Sequence, residues 1–347
     1  MKNIFKDISE ADRLRALKYA KVGTSVAYSI FRYALLISVG FIILYPLLYM
    51  IVTSIMSANA FNNSTRVWIP TELSAALNYS RANEAFGDVK WGYLMALGNT
   101  LKYEVISALL QVVTCSVVGY GFARFDFKAK KLLFGVLFLT ILVPDMVVLI
   151  PRMVNFSNLD FMGIFGAIEW LVEWIGSWFG ADLTAFDLTP NVVNTGWTMW
   201  LPSLFGVGLR SGVLIYIYIQ FFSGLPRELE EAAWVDGAGP FKTFLRIAVP
   251  SSSVVFITVL VFSLIWHWND SLLSGMYFTE NLPLASGLNG IETYMIQRWG
   301  LYFQASSPQA ASIIMAACIM FITPMLVFYM FIQRGFIESI DRVGITG

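Results

Sequence analysis

Five ionisable residues sit inside stretches that are otherwise almost wholly apolar: Lys102, Glu104, Asp145, Arg210 and Asp270. A charge placed so costs several kcal/mol in a lipid-like surrounding, on the order of 2.5–3.5 by insertion scales, and marks function by default. Counting about 1.5 Å of rise per residue, Lys102 and Asp145 reach similar depths on neighbouring runs. The spacing admits an ion pair or a shared cavity wall between them, or two separate groups that snorkel to the interface. Glu104, two residues from Lys102, points to a different helix face. A second constellation is Trp268-Asn269-Asp270, which offers an aromatic face beside an amide and a carboxylate, groups suited to a ligand rich in hydroxyls. The same residue types also serve as helix-packing and interface anchors.

No nucleophile–base pair or set of metal ligands stands out. His267, the single histidine, is flanked by Trp266 and Trp268 and reads as a packed side chain. Cys115 and Cys318 fall in apolar runs and read as small buried hydrophobes. Gly237-Ala-Gly-Pro-Phe-Lys-Thr243 has the outline of a phosphate loop, but that loop needs Gly directly before Lys, and Phe241 stands there. The residues thus predict no catalytic site, no metal and no cofactor.

These residues must be positioned by membrane-spanning helices. Of 347 residues, 57% are hydrophobic and 13% are charged. Soluble domains carry roughly 25% charged residues, so lipid must be part of this chain's solvent. The 23 basic and 23 acidic residues balance, leaving no net field to attract nucleic acid. About 20 apolar residues cross a bilayer as a helix. Six stretches fit: Tyr33–Ile55, Tyr93–Ala123, Leu132–Ile150, Trp200–Phe222, Val254–Leu273 and Ala310–Ile332. The fold class predicted is an all-α polytopic membrane protein with about six spans. Residues 1–32 form a basic N-terminal segment, 33–333 the membrane domain and 334–347 a tail. With the N terminus inside, sixteen of the 23 basic residues fall in inner segments and five in outer ones. The positive-inside rule then places both termini in the cytoplasm.

The N-terminal Ser9-Glu-Ala-Asp12 opens like a capped helix, followed by a basic stretch suited to the inner membrane surface or to serve simply as a positive topology anchor. An outer insertion, about residues 155–199, carries Trp170, Trp174 and Trp178 on one helix face. That face suits the outer leaflet, packing on other spans, or an external partner.

One inner segment, residues 225–250, is too patterned to be a plain connector. Pro226 starts a helix, and Glu228, Glu230 and Glu231 crowd its first turns, where the dipole favours negative charge. Gly237 ends it. Pro240 starts a second helix with Phe241, Phe244, Leu245 and Ala248 on its apolar face, and Pro250 closes it. The product is a helical bracket between two spans.

Glu231-Ala-Ala, Gly237 and Ile247-Ala-Val-Pro250 resemble the EAA loop of ABC importer permeases, with Val249 where Leu is usual. Trp68-Ile-Pro, Gly119-Tyr-Gly-Phe-Ala-Arg-Phe, Leu142-Val-Pro, Leu149-Ile-Pro, Gln220-Phe-Phe, Trp268-Asn-Asp and Gln333-Arg-Gly-Phe resemble the carbohydrate branch of that family. Together they cover about residues 30–347 apart from the insertion. The resemblance implies a type I importer permease fold. It also implies a coupling helix, with Glu231, Ala232, Ala233, Asp236 and Gly237 against a cytosolic ATPase. The implied partners are a second and different permease subunit, two copies of an ATP-binding subunit and an extracellular solute-binding protein. The implied cargo is a sugar or oligosaccharide. Lys102, Asp145, Arg210, Trp268, Asn269 and Asp270 are then candidates for the translocation path. A non-sugar solute, or an ion-coupled secondary transporter, is the alternative; the latter would show inverted repeats and broken helices at the midplane.

Overall fold

The computed structural model describes the backbone of residues 10–62, 68–160, 163–178 and 189–344, and the side chains of all these except 10–25, 27, 301 and 334–344. The basic residues Lys2 and Lys6, part of the outer insertion and the last three residues lie outside the described residues.

The described residues are helical throughout, with one isolated bridge between Met56 and Leu73 and no strand. In chain order the elements that matter for function are α1 (Glu10–Ile55), α2 (Gly92–Arg124), α3 (Lys130–Leu142), α4 (Asp145–Ser157), α5 (Ile164–Trp178), α6 (Trp197–Leu204), α7 (Ser211–Ser223), α8 (Glu228–Val235), α9 (Pro240–Ser251), α10 (Ser253–Trp268), α11 (Leu272–Tyr277) and α12 (Pro308–Gly344).

Three of these are long and apolar enough to cross a membrane: Tyr28–Ile55 of α1, all of α2, and Pro308–Gln333 of α12. Two bent pairs bring the number to five, and α7 is a shorter apolar helix of 13 residues. Six regions thus answer to the six expected spans, but three of the expected spans are interrupted. Leu132–Ile150 breaks at Val143-Pro144, where α3 and α4 meet at 100°. Pro144 lacks an N–H and forces Val143 into an extended conformation. Trp200–Phe222 breaks between α6 and α7, where Gly206 and Arg210 both have positive φ. Val254–Leu273 breaks at Asn269–Ser271, and Asp270 caps α11 by accepting from the N–H groups of Leu272 and Leu273.

Beside a smaller cluster of Tyr103, Phe156, Met199 and Tyr277 that ties α2, α4, α6 and α11 together, two larger cores hold the bundle. One joins α2, α7 and α10 around Tyr218, Phe222 and Val259, all with 0% exposure, and extends into α9 through Phe244 and Ala248. Here α2 and α7 approach so closely that a Cβ on Gly119 would lie 2.4 Å from that of Tyr218. The other joins α12 to the start of α2 and to the short helices Ala75–Ala85, Leu284–Asn289 and Ile291–Trp299. Asp88 caps the start of α2: the N–H groups of Trp91 and Lys90 donate to its carboxylate and hold it below the usual range. Trp68 packs its ring on Tyr45 of α1, at 5.2 Å between centroids. From Val26 to Leu48, α1 leaves nearly every side chain exposed, an apolar surface that lipid or a partner chain must cover.

Candidate functional site

The bracket forms as expected, with small shifts of boundary. Its first helix, α8, begins at Glu228, two residues beyond Pro226. Gly237 follows it with φ of 77°, the left-handed cap that glycine adopts without Cβ strain. α9 starts at Pro240 with the ring at its first position. Pro250 does not close this helix. The helix continues to Ser251, through a π-turn at Phe244–Ala248, and then bends by 82° into α10. A π-turn realigns the backbone carbonyls, which lets the helix pass a proline before it breaks. The expected apolar face of α9 is divided. Phe244 and Ala248 are buried in the α2–α7–α10 core, whereas Phe241 and Leu245 point outward, 71% and 49% exposed.

Of the five residues predicted to meet an ATPase, Glu231, Ala232, Asp236 and Gly237 are exposed and Ala233 is half-buried. Trp234, Val235 and Phe241 add exposed apolar surface around them. The opposite side of α8 is fixed. Arg124, the last residue of α2, makes an ion pair with Glu230 at 2.9 Å, both side chains only 4% exposed. Its Nη2 also donates to the carbonyl of Leu225 at 2.8 Å. Tyr120, one turn earlier, packs its ring on Phe222 of α7 and Phe244 of α9, at 5.4 and 5.0 Å. The Gly119-Tyr-Gly-Phe-Ala-Arg motif is therefore the seam by which α2 holds the bracket. Arg124 and Glu230 lie 106 residues apart, so local patterning does not join them.

The helix breaks converge at the other end. α3 and α7 have 13 residues each and α10 has 16, so the breaks lie roughly 20 Å from the bracket at 1.5 Å per residue. At that level lies a cavity of about 630 Å³, bordered among others by Thr140, Asp145, Arg152, Arg210, Ser211 and Trp266. Arg210 stands at the N-terminus of α7 with φ of 53°, a left-handed conformation that costs a non-glycine residue about 1–2 kcal/mol. Gln111 of α2 holds it there. Its amide donates to the Leu209 carbonyl at 2.6 Å and the Ser211 hydroxyl at 2.7 Å, while its oxygen accepts from Ser263 of α10 at 2.6 Å. The Arg210 guanidinium lies over the Trp266 ring, 5.2 Å from its centroid.

The remaining predicted path residues are dispersed. Lys102 and Asp145 form no ion pair. Lys102 is exposed, its ammonium over the Tyr103 ring at 5.0 Å, while Asp145 faces the cavity from the start of α4. The π-turn at Leu101–Val105 rotates this stretch of α2, and the α3–α4 bend carries Asp145 sideways. Glu104 is buried instead against His267, with 3.2 Å between Oε2 and Nδ1. Trp268 is buried and donates to the Phe321 carbonyl of α12. Asp270 is buried as the cap of α11, and Asn269 is exposed, donating to the carbonyl of Ile265. The trio does not form one face toward a ligand. Arg152 and Trp266, which sequence reasoning did not single out as path residues, join Arg210 at the cavity. α5 carries Trp170, Trp174 and Trp178 on one exposed face, as their spacing predicts.

Comparison with known proteins accords with this architecture. The chain is 23% identical over 245 residues to the probable starch degradation products transport system permease protein AmyC of Thermoanaerobacterium thermosulfurigenes, covering 71% of this chain and 73% of that protein. It is 22% identical over 315 residues to the arabinooligosaccharides transport system permease protein AraQ of Halalkalibacterium halodurans, covering 89% and 93%. The fold is shared with a chain of a bacterial ABC transporter involved in the import of the acidic polysaccharide alginate, at a TM-score of 0.61 and 16% identity, over 94% of this chain and 98% of that one. The pattern of the binding-protein-dependent transport system inner membrane component matches residues 115–342, a stretch that holds both the bracket and the cavity. With that match spanning most of the membrane domain, the chain belongs to the inner-membrane permeases of binding-protein-dependent ABC importers.

Proposed function

We propose that this permease carries a sugar or oligosaccharide and is driven through its bracket by cytosolic ATPase subunits, with both chain termini in the cytoplasm. Members of the family hydrolyse no ATP themselves; they work with ATPase subunits and a binding protein. The observation that carries the coupling role is the two-sided bracket. α8 is fixed to α2 by the buried Arg124–Glu230 pair, while Glu231, Ala232, Asp236 and Gly237 are offered outward. A handle needs both properties: a face for the motor, and a stiff attachment to the helices that must move. A second, different permease would complete the pathway, and two ATPase copies would close under the pair. Support for a saccharide comes from the names of the relatives, which include starch degradation products and arabinooligosaccharides. A name for sn-glycerol-3-phosphate also occurs among them, so the polyol class is wider than neutral sugars.

The test is co-purification of the complex and uptake in proteoliposomes. Gly237→Pro cannot adopt the φ of 77° and loses the N–H that donates to the Trp234 carbonyl. Glu231→Lys reverses the exposed charge of α8. Both variants are expected to lose the ATPase subunits or ATP-driven uptake, with the membrane subunits still paired. Full assembly and uptake in both would remove the coupling role.

A further inference from the structure

We propose that the cavity at the helix breaks binds an oxyanion-bearing saccharide or polyol, with Arg210 and Arg152 holding its carboxylate or phosphate. This rests on the saccharide-importer reading and narrows its substrate class.

The cavity is bordered by two guanidinium groups and one carboxylate, that of Asp145. Among the described residues neither arginine has a carboxylate within ion-pair distance; those pairs are Arg124–Glu230, Lys130–Asp126, His267–Glu104 and Arg298–Glu84. Arg210 donates no side-chain hydrogen bond to another described residue. Arg152 reaches only the Val207 carbonyl, at 3.4 Å, and the neighbourhood of the Tyr277 hydroxyl. The next carboxylate, Asp270, is 7% exposed, is occupied in capping α11 and is not part of the cavity wall. The cavity therefore carries one uncompensated cation, with Arg210 exposed to it and Arg152 half-buried at its wall.

Placement points the same way. Arg210 is held in a backbone conformation that a non-glycine residue avoids, and Gln111 and Ser263 are spent on keeping it there. Its guanidinium lies over the Trp266 ring, 5.2 Å from the centroid, a cation–π contact that uses none of its N–H donors. α7 opens onto the cavity from the same point, so its N-terminal dipole adds to the positive field. Paired guanidinium donors match the geometry of carboxylate and phosphate. Among the described residues the wall holds no side-chain amide of the kind expected for neutral sugars: Asn269 lies elsewhere and Gln111 is spent on backbone and hydroxyl partners. The volume, about 630 Å³, is that of a small-molecule site.

The experiment uses the full importer, with its companion permease, ATPases and binding protein, in proteoliposomes loaded with ATP. Three probes are compared: a galacturonate trisaccharide, a glycerol or hexose phosphate, and a neutral glucose trisaccharide. Uptake of either charged probe above the neutral one is expected, and which of the two is favoured tells carboxylate from phosphate. Arg210→Gln and Arg152→Gln should each lower that uptake about 10- to 100-fold, the loss of a charge-assisted hydrogen bond. Arg210→Lys should recover part of it, and assembly of each variant is checked by co-purification. Uptake of the neutral trisaccharide alone, or charged-probe uptake unchanged in both glutamine variants, would overturn this inference and leave the saccharide reading standing. Uptake of none of the three, by an importer that moves an amino acid or a peptide, would remove both.

Discussion

Glu230 and Glu231 are adjacent on α8, yet Glu230 is 3% exposed and Glu231 faces outward. A buried carboxylate is tolerable only with a partner, and Arg124 supplies it. Removing one member strands the other: Arg124→Ala should destabilise the purified complex by about 3–5 kcal/mol, read as a lower melting temperature. The exchange Arg124→Glu with Glu230→Arg should recover part of that loss, because the interaction belongs to the pair. If the pair also transmits movement, the single variants will hydrolyse more ATP per molecule transported than the exchange variant does. Gln111 has a comparable standing near the middle of α2. Its amide is fully buried and fully satisfied, so Gln111→Leu leaves the Leu209 carbonyl and the Ser263 hydroxyl without it. A cost of about 1–3 kcal/mol is expected. Uptake should fall further than that melting shift accounts for, because Arg210 loses its support.

At the scale of elements, α2 links the two ends of the molecule. Its last residue, Arg124, holds the bracket; farther back Gln111 bonds Leu209 and Ser211 beside the cavity, and Glu104 makes the buried contact with His267. A stiff α2 packed closely on α7 would move both together. Gly119 makes that packing possible, since any Cβ there meets Tyr218 at 2.4 Å. Gly119→Leu should lower the melting temperature by the equivalent of about 1–3 kcal/mol and reduce coupling. Gly121→Leu, two residues on with open space at its Cβ, should cost nothing of the kind. Thermal melts of the two variants side by side would decide whether close approach or helix composition matters.

For the whole molecule, the bracket and the tryptophan-rich helix α5 belong to opposite sides of the membrane in the proposed topology. With Cys115 and Cys318 replaced, a cysteine at Val235, which is 88% exposed on the bracket, should react with an impermeant maleimide only from the cytoplasmic side. A cysteine at the exposed Ser177 of α5 should react only from the outside. The reverse pattern would invert the chain and move the bracket out of reach of any ATPase. The apolar exterior of α1 should stay unlabelled from either side, because lipid or the second permease covers it.

Much of this was readable in the residue order because it rests on local rules. The apolar runs, the turn at Gly237 and Pro240 inside the bracket and the indole spacing of α5 depend on near neighbours and appear where their spacing predicts, although three of the runs are broken and Pro226 and Pro250 miss their helix ends by one or two residues. The pairing of Lys102 with Asp145 failed because depth counted along two straight helices ignores a π-turn in one and a 100° bend in the other. The Trp268-Asn269-Asp270 trio was broken up because a helix end separates neighbours in sequence: Trp268 turns into the packing against α12, and Asp270 caps the next helix. Partners over a hundred residues apart, such as Arg124 with Glu230, leave no mark on local patterning. The sequence by itself determined a lipid-embedded helical protein with a helical bracket between two spans, because hydrophobicity and helix punctuation are properties of short stretches. Only the tertiary structure decided which charges are spent on structure and which remain free at the cavity, because burial and pairing depend on what the folded chain brings together.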